Sequence, residues 1–167
     1  MIVLVALLVV ALVVFAGGLA AWSALRSLGS PAPDRTQPLA RLPGWGELAV
    51  LEPSPGMTIR DRRRAYVRPE VAAALGRGAA AAAARGATLA VLDASLEGGG
   101  PFPPHLSHQR GVDVDVRYLA SPTFEAVVAA INPAKLYVSR DRVASYVAAG
   151  LPAAFWPGHT THAHLRF

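Results

Sequence analysis

Val112-Asp113-Val114-Asp115-Val116-Arg117-Tyr118 alternates apolar and charged residues through its centre. Successive side chains of a strand leave on opposite faces, so Val112, Val114 and Val116 share one face while Asp113 and Asp115 share the other. The stretch reads as a half-buried strand carrying two carboxylates side by side. A second stretch, His162-Ala163-His164-Leu165-Arg166-Phe167, alternates in the same way. It sends His162, His164 and Arg166 to one side, and Ala163, Leu165 and Phe167 into a core.

The chain around these strands mixes helix and strand signals. Pro69-Glu70 opens a helix that runs through the alanines to Arg85, with Gly86 as its stop and Gly76 and Gly78 weakening it locally. Ala87 to Ala94 reads as a buried strand, followed by a Gly- and Pro-rich loop from Gly98 to Pro104. Ser121-Pro122 caps a helix through Ile131, Lys135 to Val138 is a short strand, and Ser139 to Ala149 is a helix ended by Gly150. Ala153 to Trp156 adds a further strand. The sum predicts an α+β domain with a mostly antiparallel central sheet flanked by helices.

Upstream, the composition changes twice. Residues 2–25 carry no charge and are long enough as a helix to cross a bilayer core of about 30 Å. Trp22 suits the interface and Arg26 marks the stop, so residues 1–26 are expected to be a transmembrane anchor or a signal segment. Residues 27–58, with Pro31, Pro33, Pro38, Pro43, Pro53 and Pro55, read as an extended tether, which leaves residues 59–167 as the folded domain. Arg60-Asp61-Arg62-Arg63-Arg64 reads as a solvated entry to that domain; no aromatic ladder accompanies it, so nucleic acid is not an expected partner.

Composition narrows the chemistry further. The absence of cysteine excludes disulfides, thiolate metal sites and thiol catalysis, so any metal must be held by His, Asp or Glu. An apolar share of 53% excludes a disordered chain, and the net charge of +5 suits acidic polymers or anionic lipid without selecting either.

All 5 histidines fall in two short windows, His105 to Asp115 and His159 to Phe167. His108 precedes Asp115 by seven positions, which on one unbroken strand would place them on opposite faces. Gly111 can supply the turn that returns His108 over Asp115. His108, Asp115 and His164 would then make an open three-ligand site for one Zn2+ ion, whose remaining position takes a water with a pKa lowered toward about 7.

Ser107-His108-x-x-Gly111-x-Asp113-Val114-Asp115, together with His159-x-x-His162-x-His164, resembles the penicillin-insensitive murein endopeptidases. They belong to a wider group with D-Ala-D-Ala metallopeptidases, lysostaphin-type enzymes and hedgehog domains, which shares His-x6-Asp followed by His-x-His. The stretch from Asp93 through the glycines to Ser107-His108-Gln109 adds to the likeness, which covers roughly residues 60–167. The resemblance implies His108, Asp115 and His164 as zinc ligands and His162 as general base. It implies His105 and His159 as accessory histidines near the metal. Asp113 and Ser107 are expected behind the ligands, Asp93 and Ser95 as fixing the loop, and Arg166 as either a substrate-carboxylate contact or a solvent-facing strand residue.

The implied reaction is hydrolysis of the D-alanyl–meso-diaminopimelyl cross-link of peptidoglycan by a zinc-activated water. The alternatives are a non-catalytic zinc-containing envelope-binding domain and a related D,D-carboxypeptidase. His162 speaks against the first, and a histidine where those carboxypeptidases present a glutamate base speaks against the second. Arg26, Arg35 and Arg41 alone would keep the domain in the cytoplasm, but the wall substrate requires it on the extracytoplasmic side of a bacterial envelope, held to the membrane through residues 2–25.

Overall fold

The computed structural model describes residues 47–167, so the expected anchor or signal segment and most of the tether lie outside the described residues. In chain order the elements are β1 Ala49–Val50, β2 Met57–Ile59, a 3-10 turn Arg62–Arg64, β3 Tyr66–Val67, α1 Pro69–Ala83, β4 Leu89–Asp93, β5 Asp113–Arg117, α2 Thr123–Ile131, β6 Lys135–Val138, α3 Arg140–Ala148, β7 Ala153–Phe155 and β8 His162–Arg166. β1 and β3 form a small antiparallel pair. The other strands make a six-stranded sheet in the order β2-β4-β5-β8-β6-β7.

That sheet is mixed, which corrects the expectation of a mostly antiparallel one. Its centre is antiparallel, β4 against β5, β5 against β8 and β8 against β6. Both outer pairs, β2 with β4 and β6 with β7, are parallel. Parallel neighbours need a crossover connection, and each outer pair has one: α1 lies between β2 and β4 in the chain, and α3 lies between β6 and β7. The β2–β4 crossover starts inside the Pro-rich stretch. Residues 47–58, expected to belong to the tether, supply β1, start β2 and bury Leu51 and Met57 in the core.

The core occupies one face of the sheet. Val114 and Val116 of β5, Ala163 and Leu165 of β8, and Leu136 and Val138 of β6 are all fully buried there. They form one cluster with Val71, Leu75, Ala79 and Ala82 of α1 and with Phe124, Val127, Val128 and Ile131 of α2. Gly78 explains why α1 tolerates a residue that costs a helix interior about 1 kcal/mol relative to alanine. A Cβ at Gly78 would stand 2.5 Å from Ile131 Cγ1, so its absence lets α1 and α2 approach. Among the described residues no helix is long and apolar enough to cross a membrane.

Candidate metal centre

The opposite face of the sheet carries the polar residues. In the β5–β8 register Asp113 faces Arg166, Asp115 faces His164 and Arg117 faces His162. Each of these six residues belongs to the alternation that sends its neighbours into the core. His108 comes to the same place from the loop before β5, with only 1% of its surface exposed. Gly111, at φ +68°, makes the turn, and a Cβ there would meet Leu48 Cδ2 at 2.5 Å and the Arg68 backbone nitrogen at 2.9 Å. Ser95 Oγ accepts from the Gly111 N–H at 2.8 Å, tying the loop to the end of β4.

Three donor atoms converge. His108 Nε2 lies 3.2 Å from His164 Nδ1 and 3.3 Å from Asp115 Oδ1, and His164 Nδ1 lies 3.0 Å from the same Oδ1. The outer contacts fix which nitrogens carry protons. His108 Nδ1 lies 2.7 Å from the carbonyl oxygen of Ala94, which can only accept, so the proton sits there and Nε2 keeps its lone pair. His164 lies between two carboxylates, with Nε2 2.9 Å from Asp113 Oδ1 and Nδ1 3.0 Å from Asp115 Oδ1; a neutral ring that keeps its proton toward Asp113 presents the Nδ1 lone pair inward. Two imidazole nitrogens and a carboxylate oxygen therefore face one another in a buried place. That is a donor set in want of a cation, and these His and Asp residues fit a metal ion.

The electrostatics favour positive charge in this place. Burial would raise the Asp115 carboxyl, but the adjoining His108 and His164 rings outweigh it and hold its pKa well below the ordinary value. Burial also opposes ionisation of Asp113, and His164 and Arg166 outweigh it in the same direction. For His164 burial disfavours charge while the Asp113 and Asp115 carboxylates prevail, so its pKa is raised. A buried nest of this sign attracts positive charge. Asp113 is the orienting carboxylate, holding His164 from behind and accepting from Arg166 Nε at 2.7 Å.

The remaining histidines surround the three donors. His162 Nε2 stands 3.7 Å from Asp115 Oδ2, and its Nδ1 lies 3.3 Å from Thr161 Oγ1. Burial pushes its pKa down, so the ring is neutral at neutral pH and its Nε2 can take a proton. His105 lies 3.8 Å by Nδ1 from Asp115 Oδ2 and 3.4 Å by Nε2 from Asp93 Oδ2, and burial lowers its pKa also. His159 Nδ1 faces the Trp156 and Pro157 carbonyls at 3.2 and 3.1 Å, and its ring centroid lies 5.7 Å from that of His164. His105 groups with His108 and Asp115, and His159 with Asp115 and His164, with ligand atoms in each set within 4.8 Å. Ser107 lines the cleft, while its carbonyl accepts from the Gln109 N–H at 2.7 Å.

Several contributors were not singled out by sequence. Tyr137 lines the cleft opposite His164 in the β6–β8 register. Its alternation with Leu136 and Val138 carries the signal, but the strand pairing is needed to use it. Trp156 borders the same cleft and remains 57% exposed. Asp93 does more than fix a loop: it is buried and bridges Arg60 at 2.6 Å, Arg64 at 2.9 Å and His105. The arginines read as a solvated entry thus include two that neutralise a carboxylate beside the site.

A family model described as penicillin-insensitive murein endopeptidase matches residues 46–144. The chain belongs to that family. Membership makes it a peptidase of the hydrolase class, with peptidoglycan as its substrate polymer and the cell envelope as its setting. The match includes His105, His108, Asp113 and Asp115, and it ends before the second histidine window. The β5–β8 register brings that window, with His162 and His164, to the matched residues. No curated protein matches the chain significantly.

In this murein endopeptidase Asp113→Asn is expected to weaken metal affinity about 10- to 100-fold, the usual effect of losing a carboxylate behind a ligand histidine. Competition with a chromophoric chelator measures the change. Affinity equal to wild type would remove Asp113 from that role.

Proposed function

We propose that this murein endopeptidase is a zinc enzyme that hydrolyses the D-alanyl–meso-diaminopimelyl cross-link, with one Zn2+ held by His108, Asp115 and His164. The observation that carries the reading is the set of three potential ligand atoms, His108 Nε2, Asp115 Oδ1 and His164 Nδ1, within 3.3 Å of one another. Two neutral imidazoles and one carboxylate match the donor chemistry of catalytic zinc sites that leave a coordination position open. When bound, such an ion supplies a Lewis acid that activates water and polarises the scissile carbonyl.

The rest of the chemistry belongs to the chain. His162 receives the water's proton at Nε2 and returns it to the departing amine, a role suited to a ring that burial keeps neutral. Asp113 and the Ala94 carbonyl hold the two ligand rings in one tautomer. His105 and His159 border the reacting centre, where their ring N–H groups orient the peptide, and Tyr137 and Trp156 shape the wall against which it lies. No side-chain nucleophile is needed, so no acyl-enzyme forms for a β-lactam to trap. Residues 1–26 hold the domain at the outer side of the membrane, within reach of the wall.

The test uses the full chain. Elemental analysis should give close to one zinc per chain, and digestion of purified cross-linked muropeptides should convert dimers to monomers. Zinc bound without any change in the dimers would favour a wall-binding domain and overturn the reading.

A further inference from the structure

Two clefts meet at the metal centre and share His105, Asp115 and His162. Their outer walls differ. The first, of about 360 Å³, is bordered by Leu106, Tyr137 and Trp156; its arginine, Arg166, is committed to Asp113 at 2.7 Å. The second, of about 550 Å³, is bordered by Arg60 and Arg117. Arg60 is held by Asp93 at 2.6 Å. Arg117 is exposed and makes no ion pair, side-chain hydrogen bond or ring contact with any described residue. It is nevertheless fixed in direction, because β5 places it on the face of Asp113 and Asp115 and in register with His162.

A bond cut at the junction sends one half of the substrate into each cleft. In the cross-link proposed above, the two halves have different charge. The carbon bonded to the scissile nitrogen is the far stereocentre of diaminopimelate, and it bears a carboxylate. The acyl half offers only the methyl group of D-alanine near the bond. We propose that Arg117 binds that carboxylate, so that the diaminopimelyl half occupies the arginine cleft and the D-alanyl half the aromatic one. The inference rests on the proposed cross-link specificity and sets the direction in which the peptide crosses the site. A guanidinium with no internal partner breaks no ion pair within the protein when it forms the two-pronged carboxylate contact for which arginine is suited. Arg117 is a specificity-determining residue here, since it touches substrate away from the reacting atoms.

Two readouts on the full chain test this. The first is binding of a diaminopimelyl product peptide with that carboxylate free, compared with its carboxamide; the second is kcat/KM on dimers carrying the same change. Wild type should favour the free carboxylate about tenfold in both, as expected for a charge-assisted bidentate contact. Arg117→Gln should bring both ratios toward unity, mainly through KM, Arg117→Lys should retain part of the preference, and Arg117→Glu should reverse it. Ratios unchanged by Arg117→Gln, or a wild type that does not distinguish the two peptides, would overturn the assignment. A wild type that binds product with this preference yet leaves dimers uncut sinks the endopeptidase specificity while the carboxylate site stands.

Discussion

His164→Ala is expected to abolish binding of the zinc proposed above and reduce cleavage to background. The His164 ring meets three partners at once: Asp113 through Nε2, and Asp115 and His108 through Nδ1. Alanine leaves two donors, too few for an open zinc site, which uses three protein ligands. It also leaves the buried Asp115 and Asp113 carboxylates short of a partner, which costs about 1–3 kcal/mol of stability for each group left unsatisfied. The variant should therefore emerge from dialysis without stoichiometric zinc, melt earlier and leave cross-linked muropeptides intact. Zinc retained at one per chain would take His164 out of the ligand set.

His162→Ala should separate metal binding from turnover. His162 lies two positions before His164 on the same face of β8, yet its Nε2 stands 3.7 Å from Asp115 Oδ2 and outside the three-donor set. Its loss should lower kcat about 10²- to 10⁴-fold, the usual contribution of a positioned general base, with zinc content unchanged. His162→Gln fills the site with a polar group that lacks a basic nitrogen, and it should be as inactive as alanine. Elemental analysis paired with single-turnover digestion checks both. Cleavage within a few-fold of wild type in the glutamine variant would assign the proton transfer to another group, with His105 and His159 the candidates bordering the same cleft.

Much of the site was legible because a strand's period of two survives without an alignment. Val112 to Tyr118 and His162 to Phe167 each named their buried and polar faces, and the burial of Val114, Val116, Ala163 and Leu165 agrees residue by residue. Gly111 was legible as the turn that returns His108, because seven intervening steps put it on the wrong face of a continuous strand. Strand order was not legible. One of the two parallel outer pairs depends on β2, which is only three residues long and hidden in a Pro-rich stretch. A short edge strand has no periodicity of its own, and only the partner β4 gives it a place.

The sequence by itself determined the donor types, the faces on which they stand and the absence of any thiol chemistry. These follow from local alternation, composition and one glycine. Tertiary structure decided which donors meet: the β5–β8 register set Asp115 beside His164, and pairing with β6 brought Tyr137 to the same wall. It also turned Arg60 and Arg64 from solvated charges into partners of Asp93, and left Arg117 facing the cleft. The division has one physical reason. Side-chain direction is fixed by the backbone within a few residues, whereas hydrogen-bonded pairing between distant strands is chosen by the packing of the whole core.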